Sequence, residues 1–367
     1  MLRVYNFLLD HRVGGPHVYV DTLRKALGDK VESIIVTTGR GSMTDMALLN
    51  LRHFWSPLYG LEMIANSLYL VWSVLSGRIS RKDVIFNVHG SANIAPIAAA
   101  RIVGIPVVWH IHETVLRFRQ LVNLGKWLMN QHPHTFVVVA NKAKEVYGLG
   151  QAEFIPGAVD TDFWSRSVVD NDEVNACWSC DGERPFRVLA VGNINPLKGM
   201  DILLEAMASV AGPWHLKIVG PKLDTHREYA EMLYRRAGEI VSKKKDCVID
   251  FLGWHGKTEV RILLAGCDLF VLPSRSEACP IVLLEAIAMD CDCVAADVGD
   301  VSTMIEHYSR SRVFPAGSVG ALISCIEQFQ VGFGTSDTTS ARTEGRWQVS
   351  EFSAKTMQVY NSLTGKN

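Results

Sequence analysis

The sequence has no excess of charge of either sign: 37 Lys and Arg stand against 38 Asp and Glu in 367 residues, a formal net charge of −1. A general nucleic-acid binder is normally basic, so that class is set aside, although a local basic patch is not excluded. Long apolar runs are also missing. The longest, Met63–Leu75, falls short of the roughly 20 residues that cross a bilayer. The amino-terminal MLRVYNFLLDHRVGG reads as a strand followed at once by charges, without the small-residue cleavage site of a secretory leader. The expectation is a cytoplasmic protein. Contact with the inner face of a membrane is open to it through Phe54–Leu75 and Arg117-Phe-Arg119, for which ordinary helix packing and a surface loop are the simpler readings. No internal repeat, low-complexity tract or GxGxxG fingerprint appears, and the last absence counts against a nicotinamide-dependent enzyme.

Metal-binding cysteine sets are equally scarce. Of the 8 cysteines, most lie in apolar patterns, as reduced buried thiols do. Cys177-Trp-Ser-Cys180 has ligand spacing, but a structural zinc site takes four ligands, and the other pair, Cys291 and Cys293, is far along the chain. Two loop thiols are the reading adopted, with no metal expected.

What the chain does contain is alternation. Short runs rich in Val, Ile and Phe stand at Leu2–Leu9, Val31–Thr37, Val84–His89, Pro106–His112, Thr135–Ala140 and Glu153–Pro156. A second set stands at Phe186–Gly192, His215–Gly220, Val248–Gly253, Asp268–Pro273 and Asp292–Ala296, with a short edge at Arg312–Phe314. Strands buried on both faces of a parallel sheet look like this. Helical patterns such as His17–Leu27, Ile202–Val210, Arg227–Val241, Glu259–Ala265 and Ile281–Met289 fall between them. Such alternation predicts an α/β protein with two doubly wound, Rossmann-like parallel sheets facing across a cleft. The expected domains are 1–165 and 185–345. The polar stretch 166–184 reads as a linker or insertion, and a carboxyl-terminal helix near 346–367 packs back on the first domain. Ligands of open parallel sheets sit beyond the carboxyl ends of the strands, so the residues that follow strands deserve a reading for chemistry.

The segment PSRSEACPIVLLE (273–285) follows one strand. Pro280 fits the first helical turn, where a missing N–H is harmless. Glu277 precedes the helix, and Glu285 lies inside the apolar run IVLLEAIAM. Burying a lone carboxylate is costly unless something donates to it. A ribose diol offers two donors; an unseen Arg or Lys is the alternative. The loop GNINPLKG (192–199) puts Lys198 beside a helix start, which is disfavoured unless an anion also sits there; read alone, Lys198 is equally a solvated lysine. Arg12-Val-Gly14-Gly15-Pro16 leads from a strand into a helix, with two glycines that let backbone approach a ligand or merely form a tight turn. His89, His110 and His112 end neighbouring strands, and His110 and His112 point the same way. Asp290-Cys-Asp292 has the form of a metal-binding DxD but lies between a helix end and a strand start, and reads as incidental.

Together these pieces resemble glycosyltransferase family 4, the retaining enzymes of the GT-B fold, whose mark is two glutamates separated by seven residues. Glu277-ACPIVLL-Glu285 fits, preceded by VLPS (271–274). Gly14-Gly15, the strand ending at His112, IPGAVD (155–160), Val191-Gly192 with Lys198-Gly199, and Phe251-Leu-Gly253 follow the family order. The resemblance implies a nucleotide-diphosphate sugar donor, a saccharide or lipid-linked acceptor, and no metal or other cofactor. It implies that Glu285 binds the ribose, that Glu277 contacts the donor sugar with backbone amides near Cys279–Ile281 beside it, and that Lys198 and the Gly14-Gly15 amides hold the diphosphate. His112 would lie by the sugar and Leu252, Gly253 and Trp254 by the base. Arg12, His89 and His110 are further candidates on the donor or acceptor side. The family usually carries a basic residue where Asn193 stands, which removes one charge from the diphosphate site. The leading reading is thus a retaining, metal-independent hexosyltransferase of cell-surface polysaccharide synthesis. The alternatives are a GT-B scaffold that binds without turnover and a nucleotide-sugar epimerase.

Overall fold

A computed structural model describes residues 1–9, 14–49, 51, 58–116, 118–179, 183–306, 308–331 and 347–365. Arg12, Arg117 and Cys180 lie outside the described residues. The chain divides into two compact units, Met1–Ala158 with Gly345–Asn367, and Val159–Glu344.

The first unit runs β1 (Leu2–Leu8), α1 (Gly15–Leu27), β2 (Val31–Thr38), β3 (Met46–Leu48), α2 (Tyr59–Leu75), β4 (Val84–His89), α3 (Ala95–Val103), β5 (Val107–Ile111), α4 (Arg119–Met129), β6 (His134–Val138), α5 (Asn141–Tyr147) and β7 (Glu153–Phe154). Its sheet has the order β3-β2-β1-β4-β5-β6-β7, and every pair is parallel. Alternation along the central strands sorts the two faces. Tyr5, Phe7, Phe86, Val88, Val107, Trp109 and Ile111 belong to one apolar cluster together with residues of α2, α3 and α4. Gly125 on α4 lies so close to Trp109 that an added Cβ would stand 2.4 Å from the indole. The intervening residues Asn6, Asn87, His89 and His110 are also buried, on the opposite face. A row of polar side chains inside a sheet is costly unless it is hydrogen-bonded, which makes this face the informative one.

The second unit runs α6 (Asn171–Cys177), β8 (Phe186–Val191), α7 (Met200–Ser209), β9 (Trp214–Val219), α8 (Arg227–Lys243), β10 (Val248–Gly253), α9 (Lys257–Gly266), β11 (Leu269–Leu272), α10 (Ile281–Ala288), β12 (Cys293–Ala296), α11 (Val301–Ile305), β13 (Ser311–Phe314) and α12 (Val319–Val331). Its sheet is again wholly parallel, in the order β10-β9-β8-β11-β12-β13. The last helix, α13 (Val349–Thr364), packs on α1 of the first unit, with Phe352 edge-on to Tyr19 at 4.9 Å between ring centroids.

The stretch read as a linker or insertion is folded into the second unit. Asp170 caps α6 by accepting from the Asp172 amide, and the fully buried Trp178 donates to the Leu263 carbonyl at 3.1 Å. No residue of α6 itself is buried, so the stretch has no apolar period, and a single tryptophan anchors it. The three-residue edge strand β3 likewise gives no period-2 signal. Pro280 caps α10 from the position before its first residue. Asp292 is bound by Arg310 at 2.6 Å, a structural pair rather than half of a DxD site.

Candidate functional site

In the second unit the loops after β8 and β11, neighbouring strands, are clipped together. The Arg275 amide donates to the Leu197 carbonyl at 2.7 Å, and the Arg275 guanidinium binds both oxygens of Asp201, at 2.7 and 2.6 Å. Tyr229 donates to the same Asp201 at 2.7 Å; despite burial, these bonds hold the Asp201 carboxyl below the usual carboxylate range. Arg275, Asp201 and Tyr229 carry no motif, and the sequence reading missed them. Gly199 closes the clip: it has φ 64°, and an added Cβ would lie 2.0 Å from the Pro273 carbonyl oxygen. Gly199→Ala is therefore expected to cost at least about 2 kcal/mol, since it meets both strain and overlap. A thermal or denaturant melt unchanged by this substitution would contradict that reading.

The clip sets Lys198 against Glu277. The Lys198 Nζ lies 2.5 Å from Glu277 Oε1, and the Ser274 hydroxyl donates to the same oxygen at 2.7 Å. The alkyl stem of Lys198 crosses Gly192, where an added Cβ would be 3.3 Å from it. Two residues singled out 79 positions apart thus form one ion pair, partly buried at the carboxyl edge of the sheet. Ser274, fully buried, is a third member; its signal was the VLPS run. The loop that begins α11 presses on the same place, since a Cβ at Gly299 would meet the Glu277 carbonyl oxygen at 2.4 Å.

Glu285 sits in the second turn of α10, 8% exposed. Among the described residues no ion pair or hydrogen bond reaches its carboxylate, so the salt bridge offered by the sequence is not formed. Burial pushes its carboxyl up to about 7, opposed only by the charge of Lys257. Cys279 and Ile281 are half-buried at the start of the same helix. Asn193 is half-buried after β8, its carbonyl accepting from Asn195 at 3.4 Å. The loops after β9 and β10 join this edge. The Gly220 amide donates to the Gly253 carbonyl at 2.8 Å, and a Cβ at Gly220 would lie 2.0 Å from the Gly192 oxygen. Leu252 is half-buried, whereas Trp254 is largely exposed. The structure therefore brings Gly192, Asn193, Lys198, Gly253 and Glu277 to one edge of one sheet.

In the first unit, Gly14 and Gly15 open α1, and the Gly14 carbonyl accepts from His17 and Val18 at 3.0 and 3.1 Å. Neither glycine has positive φ, and an added Cβ at either meets no atom within 4 Å. Nothing among the described residues demands glycine at these two positions. The histidines lie on the polar face of the sheet. His89 Nδ1 is 2.9 Å from His112 Nε2, and His89 Nε2 is 3.2 Å from the Asn87 amide nitrogen. If that amide donates to Nε2, His89 carries its proton on Nδ1 and donates to His112. His110 is fully buried, and among the described residues neither of its ring nitrogens is bonded. Burial, then the neighbouring rings, keeps all three neutral, His112 down to about 3 and His89 and His110 well below the ordinary range. Glu113 accepts from the Ser91 and His112 amides at 3.2 Å, and burial still raises its carboxyl.

The ligand atoms of His89, His110 and His112 lie within 4.8 Å of one another, close enough to test against a metal. The His89 and His110 rings stack at 4.5 Å with 24° between their planes. His89 Nδ1 and His112 Nε2 already bond each other, so these two atoms are not free ligands, whereas both ring nitrogens of His110 lack a partner among the described residues.

Residues 185–330 match the family described as glycosyl transferases group 1. The amylovoran biosynthesis glycosyltransferase AmsK of Erwinia amylovora is 23% identical over 158 residues, 41% of this chain and 37% of that protein. The D-inositol 3-phosphate glycosyltransferase of Rhodococcus erythropolis is 28% identical over 174 residues, 46% of this chain and 38% of that one. The chain thus spans less than half the length of these curated relatives. In three dimensions, Anabaena HepE in complex with UDP matches 99% of this chain and 100% of its own with a TM-score of 0.80 at 16% identity. Its complex with UDP-glucose matches at 0.78. The fold of this chain, two parallel-sheet α/β units, is GT-B.

Proposed function

We propose that the chain is a retaining hexosyltransferase that moves a sugar from a nucleotide-diphosphate donor to a glycan or lipid-linked saccharide in cell-surface polysaccharide synthesis. The Lys198–Glu277 pair, held by Ser274 on two clipped loops, carries the reading. When the glycosidic bond breaks, negative charge grows on the departing diphosphate. A lysine at the start of a helix and the free amides of α10 stabilise that charge without a metal. Glu277 then meets the sugar and Glu285 the ribose hydroxyls. Leu252, Gly253 and Trp254 are assigned to the base. In the first unit, the Gly14 and Gly15 amides are assigned to the diphosphate and His112, neutral, to a sugar hydroxyl.

Support for the donor class comes from the solved complexes of HepE with UDP and UDP-glucose, and for the pathway from the amylovoran enzyme. Thermal shift against UDP, GDP and ADP tests the donor site, because a true ligand at about 100 times its Kd stabilises by about 2.7 kcal/mol. Incubation with UDP-, GDP- and ADP-sugars follows, and the anomeric configuration of the product reads retention or inversion. Nucleotide binding without turnover across a broad acceptor panel would favour the scaffold alternative, for which Asn193 speaks.

The glycines give a separate test. Because neither is sterically required, Gly15→Ala is expected to leave the melting temperature unchanged or slightly raised while increasing the donor KM severalfold. A mutant whose KM equals that of the parent would remove the first-unit amides from the donor site.

A further inference from the structure

The outward face of α2 is apolar from end to end. Leu61, Ile64, Leu68, Trp72 and Leu75 recur every three or four residues and are each between 47% and 68% exposed. The inward face is also largely apolar, with Met63, Leu70 and Val74 buried in the apolar cluster, where α2 packs beside α3. Glu62 is the one ionisable carboxylate in a helix that has no lysine or arginine. A core-packed surface helix normally turns charged residues outward, and a contiguous apolar stripe of this length in water calls for a cover. The sequence-based preference for ordinary helix packing thus accounts for only one of its two faces.

Charge identifies the cover. Residues 59–130 hold seven Lys and Arg against three Asp and Glu, in a chain whose totals are 37 and 38. One of those three acids, Glu113, is enclosed and bonded to backbone amides. Three of the seven basic residues, Arg78, Arg81 and Arg101, lie by the carboxyl-terminal end of the stripe. The Arg78 guanidinium lies over the Trp72 ring at 4.2 Å. Arg81 donates to the Val103 carbonyl at the end of α3, at 3.2 and 2.8 Å, and Arg101 and Ile102 are exposed beside it on α3. No described helix is long and apolar enough to cross a membrane.

We infer that this face of α2 docks in the plane of an anionic lipid surface, with Leu61, Ile64, Leu68, Trp72 and Leu75 entering the headgroup–acyl boundary and Arg78 and Arg101 meeting lipid phosphates. Apolar area and basic charge act together in such binding. A second copy of the chain is the competing cover, and light scattering without lipid distinguishes it. The inference does not depend on the donor reading, since its residues all belong to the first unit and its readout is lipid.

The test is co-sedimentation of the full chain with phosphatidylcholine vesicles and with mixed phosphatidylglycerol–phosphatidylcholine vesicles, alongside light scattering without lipid. Binding to the anionic vesicles is expected to exceed that to the neutral ones about tenfold or more and to weaken with salt. Leu68→Gln with Trp72→Gln should lower it about tenfold or more at an unchanged melting temperature, because both side chains are exposed. Arg78→Glu with Arg101→Glu should erase the preference for anionic lipid. Three results would overturn the inference: a parent chain that stays in the supernatant, equal binding by parent and variants, or a lipid-indifferent dimer that Leu68→Gln with Trp72→Gln dissociates.

Discussion

Replacing Glu277 with alanine is expected to lower sugar transfer and donor hydrolysis by about 10²–10³-fold, the range seen when one preorganised polar group is removed from an active site. The physical reason lies in the oxygen it shares. Glu277 Oε1 holds both the Lys198 ammonium, at 2.5 Å, and the Ser274 hydroxyl, at 2.7 Å. Removing the carboxylate deletes a contact to the sugar and releases the lysine from its fixed direction. Lys198→Ala should lose activity on a similar scale, because it removes the cation from a carboxylate that is only 10% exposed. Since each residue fixes the other, the double substitution should be little worse than either single one, an interaction energy of the sign and size found in coupled pairs. Steady-state kinetics of the three variants, with melting temperatures to exclude unfolding, give the answer. Full activity in Glu277→Ala would end the catalytic assignment, and strict multiplication of the two single losses would end the coupling.

That pair also shows what was legible in the sequence. The two loops each follow a strand whose apolar run is unbroken, so the carboxyl edge of the sheet was readable, and with it the neighbourhood of Lys198 and Glu277. The direct bond between them was not readable. It depends on the Arg275–Asp201 clip and on Gly199 lying against Pro273, contacts between residues 74 positions apart with no periodicity to announce them. The same limit explains α6, where one buried tryptophan does the anchoring, and the histidines. Strand alternation places His89, His110 and His112 on one face; only the tertiary structure shows that His89 bonds His112 while His110 has no partner among the described residues. For α2, the sequence reveals an apolar helix, but which face is covered depends on the tertiary neighbours.

Glu285→Gln should stabilise the protein in a pH-dependent way. The carboxyl is raised from 4.5 to about 7 by burial. A carboxyl that holds its proton more tightly when folded adds no penalty below about pH 4.5. Between about 4.5 and 7 the folded state binds more protons than the unfolded one, so stability falls as pH rises, and above about 7 the full penalty is present. A shift of this size corresponds to about 3 kcal/mol. Gln, which has nearly the same shape and no charge, removes the penalty. The melting temperature of Glu285→Gln should therefore match that of the parent near pH 4.5 and exceed it increasingly up to pH 8. Nucleotide affinity should move the other way. Two ribose hydroxyls donating to an ionised carboxylate form charge-assisted bonds that an amide oxygen matches poorly, so the variant should bind the nucleotide about tenfold or more weakly. Binding would also favour the ionised form, so the parent should release a proton on binding at pH 6 and lose affinity as the pH drops below about 7. Calorimetry in buffers of different ionisation enthalpy measures that proton directly. Parallel pH–stability curves for parent and variant would refute the buried-acid account. A stabilised variant with undiminished affinity would leave the buried acid in place and detach it from the ribose.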